Sequence, residues 1–549
     1  MTNSLLHVLI ILIFVDDYKE ENEKMRPKGE RLVLSYSLRQ TAHRYGKRTA
    51  IIFQGQRITY AEMRSRRNKV ANALLNHGLK QGDRVNYLLP NCPEVFDVMF
   101  GVVGAGLVTV PLNTRFVGVE LDYVINDCGS KVLFIGADFA PLLEGILPNL
   151  KNMKRKDWIV VGGEVPQGMT RYEDFIAGAS DAEPDVDIDE EDVALIQYTA
   201  GTTGKPKGVV KTHRHLWLLG FIFGLDKGYN PDEVNLIAGP MYASAPLAFA
   251  IPAALVGATN YIMPNFNPEE VLRCIEDGKA THVFMAPIMI DFILALPEEV
   301  RNKYDVSSMK QIVVVGAPLL TKTKQGTLKL FKNAILHEMY GATETGGQTI
   351  LRPELLPSEE KVRCVGLPAL GFDIKIVDDE GNEVPQGEVG EVRMSGPTMF
   401  KEYYNKPEET KRAIDKDGWV GLGDMGYVDE EGYLYLVDRK YDMIISGGLN
   451  IYPSEVEEVM KNHPKIFDVT VIGVPSEKWG EEVKAVVILN SGEQATEEEI
   501  IQWCRGRMAD YKRPKSVDFV SDLPRSLQGK VLKRLVKESY WKGKEIKIS

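Results

Sequence analysis

The sequence predicts an α/β protein with more than one domain, and three observations carry that expectation. From about residue 35 short β-rich runs alternate with helical patterns, several runs end at a Gly or Pro loop, and 549 residues exceed what one hydrophobic core usually serves. Ligands of open α/β sheets sit beyond the carboxyl ends of the strands, so those loop exits are where a bound molecule belongs.

In chain order, residues 5–15 come first as an apolar run too short to cross a bilayer as a helix. No Lys or Arg precedes it, and it runs into Asp16-Asp17-Tyr18-Lys19-Glu20-Glu21 rather than a small-residue cleavage site, which argues against a secretory leader. Residues 1–30 read as an extension outside the fold, with residues 1–24 expected to be dispensable and Met25 an alternative start. Strands follow at Val132-Leu133-Phe134-Ile135, Val193-Ala194-Leu195-Ile196, His282-Val283-Phe284-Met285 and Gln311-Ile312-Val313-Val314-Val315. Gly316-Ala317-Pro318 and Met339-Tyr340-Gly341 are two strand exits.

Near Gly371 the texture changes. Phe372-Asp373-Ile374-Lys375-Ile376-Val377 alternates, Asp379-Glu380-Gly381-Asn382 turns, and Gly390-Glu391-Val392-Arg393-Met394 resumes, predicting a small β-rich subdomain. After Asp438 a further unit of about 110 residues has the pattern of a small α/β domain, with a helix from about Ser454, strands around 469–474 and 483–489, and a helix from about Thr496.

With 44% hydrophobic and 26% charged residues the chain reads as globular and soluble, with no stable membrane insertion expected. A formal net charge of -11 argues against nucleic acid as a partner, so anionic ligands must meet local positive sites. Cys92, Cys128, Cys274, Cys364 and Cys504 show no C-x-x-C spacing, which disfavours a disulfide framework or a zinc site and makes a cytoplasmic location the simplest expectation.

The stretch Tyr198-Thr199-Ala200-Gly201-Thr202-Thr203-Gly204-Lys205-Pro206-Lys207-Gly208-Val209 combines what a nucleotide triphosphate needs from a loop. Glycines let backbone N–H groups approach phosphate oxygens, threonine hydroxyls add donors, and lysines offset charge. The bland alternative is a surface turn, but such a density of hydroxyls, glycines and lysines directly after an apolar strand favours phosphate binding. The P-loop pattern G-x-x-x-x-G-K-[ST] does not fit, because Pro206 follows Lys205 and Thr199 stands where its first glycine would be.

On these residues the chain resembles the adenylate-forming enzymes, which include acyl-CoA synthetases, aryl-CoA ligases, luciferases and peptide-synthetase adenylation domains. The loop is similar to their signature. Tyr340-Gly341-Ala342-Thr343-Glu344, Gly423-Asp424, Asp438-Arg439-Lys440 and Gly529-Lys530 are similar to four later motifs, in family order. The resemblance implies a large N-terminal domain of two α/β subdomains plus a small β-barrel-like subdomain, residues 31–438. A small mobile C-terminal α/β domain, residues 439–549, would follow a hinge near 438–441.

The implied reaction has two steps. A carboxylate attacks the α-phosphate of ATP to give acyl-AMP and pyrophosphate, and a thiol, that of coenzyme A, then displaces AMP. Thr199, Ala200, Gly201, Thr202, Thr203, Gly204, Lys205 and Lys207 would hold the β- and γ-phosphates, with Glu344 as the protein ligand of Mg2+ and Thr343 donating to the α-phosphate. Asp424 would accept from the ribose hydroxyls, supported by Arg439. Gly316, Ala317 and Pro318, with Glu338, Met339, Tyr340 and Gly341, would line the adenine slot, Tyr340 stacking on the base. Lys530 would reach the carboxylate and α-phosphate during adenylation, and the segment carrying Gly447 and Gly448 would replace it for thioester formation. Trp479, Tyr511 and Arg513 would handle coenzyme A. A homodimer is one assembly the resemblance allows.

The chain departs from the pattern at Tyr441 in the hinge, Ala243 after Tyr242, Leu422 before Gly423 and Glu402 before Tyr403, which bears on switching and acid choice rather than on adenylation. Phe221, Tyr242 and Phe249 are candidate acid-pocket residues that could equally be core, and they point to an apolar acid, fatty or aromatic. The alternatives are an adenylating enzyme that passes its acyl group to a carrier protein or oxidises it, and a non-catalytic nucleotide-binding relative. Trp479 and Tyr511-Lys512-Arg513-Pro514 favour coenzyme A over the first, and retention of Lys530 and Glu344 argues against the second.

Overall fold

Alternation of buried strands with amphipathic helices produces two large mixed sheets with helices between and around them. The computed structural model describes residues 31–199, 205–317, 319, 321–351, 364–440, 442–446, 449–476, 478–525 and 531–541. One sheet has eight strands; its parallel strands Arg84–Leu88, Val108–Pro111, Val132–Gly136 and Trp158–Val161 are almost wholly apolar and buried, as strands covered on both faces must be. The other has nine, with Thr49–Phe53, Thr259–Ile262, Val234–Ile237, His282–Met285, Gln311–Val314 and Ile335–Ala342 running parallel at its centre.

The largest core lies between these sheets. It joins Val85, Tyr87 and Phe134 of one to Ile51, Ile237 and Ile262 of the other through the helices Leu34–Tyr45, Tyr60–Asn76, Glu94–Gly104 and Ser244–Val256. Glu94–Gly104 is apolar on nearly every side because it is buried there, the exception past its first residue being Asp97, whose carboxylate accepts from Arg66 and Tyr172. A Cβ at Gly101 would stand 2.7 Å from the Arg67 carbonyl oxygen, so glycine is what lets this helix press against Tyr60–Asn76.

The hairpin expected after residue 371 forms as Asp373–Val377 and Gly390–Ser395. It extends through Val420–Val428 to Leu434–Arg439 as a four-stranded antiparallel sheet whose edge strands do not meet, so the small subdomain is an open sheet rather than a closed barrel. In the C-terminal unit, helices Pro453–Lys461 and Glu497–Trp503 stand where the pattern places them, the second capped by the Thr496 hydroxyl. The strands Ile466–Ser476 and Gly480–Leu489 are longer than their apolar cores suggest, because antiparallel pairing continues into the polar tips as far as Ser476 opposite Gly480.

Candidate active site

The strands that flank the phosphate-loop sequence pair with each other, Val193–Thr199 antiparallel to Lys207–Thr212 and Thr199 opposite Lys207. Ala200, Gly201, Thr202, Thr203 and Gly204 lie outside the described residues, as do Pro318, Tyr441, Gly447, Gly448 and Lys530. Of the loop's cations, the Lys205 ammonium lies 5.4 Å from the centre of the Tyr123 ring and that of Lys207 lies 5.0 Å from the Tyr403 ring.

Thr343 and Glu344 occupy the turn of a second hairpin, between Ile335–Ala342 and Gly346–Leu351. The turn is tight: a Cβ at Gly341 would stand 1.8 Å from the Gly346 carbonyl oxygen, and the Thr345 hydroxyl accepts from the Ala342 N–H at 2.9 Å. Glu344 is gripped at both ends. Its carbonyl oxygen accepts from the Phe400 N–H at 2.6 Å and the Lys211 ammonium at 3.2 Å, and its carboxylate Oε1 accepts from the Tyr403 hydroxyl at 2.8 Å. Burial, then the Glu344 charge, pushes the Tyr403 hydroxyl's pKa far up, so it remains the donor. The Thr343 hydroxyl pairs with that of Ser244 at 2.9 Å, at the start of the helix Ser244–Val256.

On the strand leading into that turn, Tyr340 donates to Asp424 Oδ2 at 2.7 Å, and Arg439 Nε stands 3.0 Å from Asp424 Oδ1. Asp424 and Arg439 are register partners on adjacent antiparallel strands, which fixes their approach. Burial, followed by the Asp424 charge, holds the Tyr340 hydroxyl protonated, and Asp424 raises the Arg439 pKa. Two strands from different sheets thus meet over one carboxylate. Glu338 is paired with Lys324 at 3.0 Å, and burial raises its pKa. Gly316 adopts φ 104°, a left-handed turn at the strand exit, with Ala317 half-buried beside it.

Behind the same strand, Phe249 stacks on Phe223 and Phe284 at 5.4 and 5.7 Å, in a cluster with Met339 and Ile350. The space bounded by Ile237, Gly239, Pro246, Phe249 and Phe284 is too tight to admit water. Tyr242 belongs to the neighbouring large core, its carbonyl accepting from Gln197. Phe221 does not join them. Two residues from Phe223 on the helix His213–Asp226, it falls on the opposite side, 42% exposed and stacked on Trp217.

Trp479, Tyr511 and Arg513 all lie in the C-terminal unit, Trp479 at the bend before Gly480–Leu489 and the other two just before the strand Ser516–Phe519. Trp479 and Tyr511 are 45% and 43% exposed, under the ammonium groups of Lys478 and Lys512, and Arg513 pairs with Asp510 at 3.3 Å. Three residues that sequence reasoning passed over touch these candidates: Lys211 and the hydroxyl of Tyr403 on Glu344, and Ser244 on Thr343. Only Lys211 had a signal, a charge set in the otherwise apolar run Val209-Val210-Lys211.

Comparison with known proteins shows the family. The AMP-binding enzyme family model matches residues 38–404, and the AMP-binding enzyme C-terminal domain matches residues 455–530. A feruloyl-CoA synthase of Amycolatopsis sp. is 36% identical over 493 residues, covering 90% of this chain and 96% of that protein. A long-chain-fatty-acid–CoA ligase of Mycobacterium tuberculosis is 36% identical over 490 residues, covering 88% and 93%. The structure of ATP-bound MatB from Rhodopseudomonas palustris superposes with a TM-score of 0.83 at 30% identity, covering 93% of this chain and 99% of that one. The two family matches and these relatives show that the chain belongs to the AMP-binding enzyme family, that of the AMP-forming acyl-CoA synthetases and ligases.

Proposed function

We propose that the acid this AMP-forming ligase activates is a predominantly apolar monocarboxylate, medium to long chain or aromatic, with its carboxylate as the only required charge. One observation carries the reading: the cluster of Phe223, Phe249, Phe284, Met339 and Ile350 packs directly behind the strand that ends in Thr343 and Glu344. The cluster is closed to water as it stands, so an acid tail enters only by displacing its side chains; an apolar tail gains by that burial, whereas a second charge would meet no partner among the described residues there. The relatives named for feruloyl and long-chain fatty acyl groups support it.

In this reading Asp424, already oriented by Tyr340 and Arg439, keeps lone pairs free for the ribose hydroxyls. Thr343 donates to the α-phosphate, and Thr199, Lys205 and Lys207 flank the β- and γ-phosphates together with the loop they bracket. Glu344 fits magnesium because its charge stands at the turn with one oxygen held by Tyr403, the kind of single carboxylate that this ion takes alongside phosphates. Magnesium bound with the nucleotide supplies charge neutralisation on the phosphates. Gly316, Ala317, Pro318, Tyr340 and Gly341 line the base with the main chain of Met339, and Glu338 is held beside it by Lys324. We place the N-terminal domain at residues 31–438 and the C-terminal domain at 439–549, with Lys530 serving adenylation and Gly447, Gly448, Trp479, Tyr511 and Arg513 serving the coenzyme A step. Free, buried cysteines suit a reducing cytoplasm.

Pyrophosphate release across acids of graded length and aromaticity, with coenzyme A present or omitted, tests the substrate. Turnover confined to amino acids or dicarboxylates would reject it. Lys530→Ala should slow adenylation by on the order of 10²-fold or more while sparing acyl transfer from supplied acyl-AMP, the scale for losing one preorganised electrostatic group. Equal losses in both half-reactions would reject the assignment of Lys530.

A further inference from the structure

We propose that Lys211 is a positioning residue for the adenylation step: buried behind the 343–345 turn, it fixes the point at which Glu344 is presented to the nucleotide. The inference rests on the reading of Glu344 given above.

The lysine lies on the strand Lys207–Thr212, four residues after Lys207 and on the same face. Both face the segment of residues 398–403, Lys207 over the Tyr403 ring and Lys211 onto main chain. Lys211 is buried, and a buried ammonium is costly unless its protons are taken up. They go to two carbonyl oxygens from separate parts of the chain, Thr398 at 2.5 Å and Glu344 at 3.2 Å. The Thr398 hydroxyl in turn donates to the Thr345 carbonyl at 2.8 Å, and Tyr403 takes the Glu344 carboxylate. Lys211 therefore ties the strand leaving the phosphate loop to the turn carrying Glu344 and to the segment that holds its carboxylate. A methionine or leucine would fill the same volume with no such cost, so the ammonium is explained by what it holds in place.

Lys211→Met removes the donors and keeps the length. ATP binding in the presence of magnesium, measured by calorimetry, should weaken about tenfold, the scale of one charge-assisted hydrogen bond, while AMP binding changes less than about twofold. Pyrophosphate exchange should fall at least as far as ATP affinity, transfer to coenzyme A from supplied acyl-AMP should hold, and Lys211→Arg should recover most of the loss. Parallel weakening of AMP binding and acyl transfer would show that Lys211 merely supports the fold and would overturn the proposal. Glu344→Gln separates the two readings. If it matches the parent in ATP binding and exchange, the role of Glu344 fails; if it is impaired while Lys211→Met is not, the role of Lys211 alone fails. Should Lys211→Met not fold, Lys211→Gln, which lacks the charge and the reach, is read by the same assays.

Discussion

Asp424 shows how single residues acquire a function through their partners. Its carboxylate lies between the Tyr340 hydroxyl and the Arg439 guanidinium, so it is oriented before any ligand arrives. That preorganisation is what a hydroxyl-rich ligand needs, because no side-chain ordering remains to be done on binding. Asp424→Ala should weaken AMP binding by about 10- to 100-fold, equivalent to roughly 1.5–3 kcal/mol for hydrogen bonds to a charged group. Calorimetry with AMP checks it, and unchanged affinity would remove Asp424 from the nucleotide site.

At the scale of elements, the candidate site joins two hairpins, the strands that flank the phosphate-loop sequence and the turn with Thr343 and Glu344, which are linked through Lys211 and through Tyr403. The second depends on glycine at two facing positions, Gly341 opposite Gly347, where the register shifts beside Tyr340. Gly341→Ala sets a methyl group against the Gly346 carbonyl, where backbone rather than a pliable side chain would have to yield. We expect a loss of about 2–4 kcal/mol in stability and of nearly all adenylation, visible as a lowered melting temperature together with absent pyrophosphate exchange. A variant with parental melting and exchange would mean that the turn relaxes freely.

The whole molecule carries an acid-sensitive set of buried histidines. Burial pulls His213 down to about 4, and His215 and His337 down to about 3, from 6.5. Each is depressed in the folded state, so it contributes stability that is present above pH 6.5 and is lost as pH falls toward 4 and below. Asp97, raised to about 6 by burial, works in the opposite sense together with Asp291 and Glu338, but among the described residues five imidazoles are depressed, His282 and His463 with these three. The melting temperature should therefore hold near neutrality and decline below about pH 6.5, more shallowly in His213→Leu, whose parent ring nitrogens have no hydrogen-bond partner among the described residues. A melting temperature flat from pH 7 to 5 would contradict this. Among the described residues no helix is long and apolar enough to cross a membrane.

Much of this was written locally. The alternation of apolar runs with helical patterns, the hairpin after residue 371, and the cap at Thr496 are each set within a window of a few residues, where periodicity and turn chemistry act; the phosphate loop and the order of the family motifs are legible for the same reason. What the tertiary structure alone decided are pairings across long chain separations. Tyr340 meets Asp424 across 84 residues, Tyr403 meets Glu344 across 59, and Lys211 meets Thr398 across 187. It also decided that Phe249 is buried behind the active-site strand while Phe221 faces out, since burial depends on which helix face meets the sheet. Local sequence specifies an element and its period; which side chains then share a site is set by sheet order and register, properties of the packed chain that no short window contains.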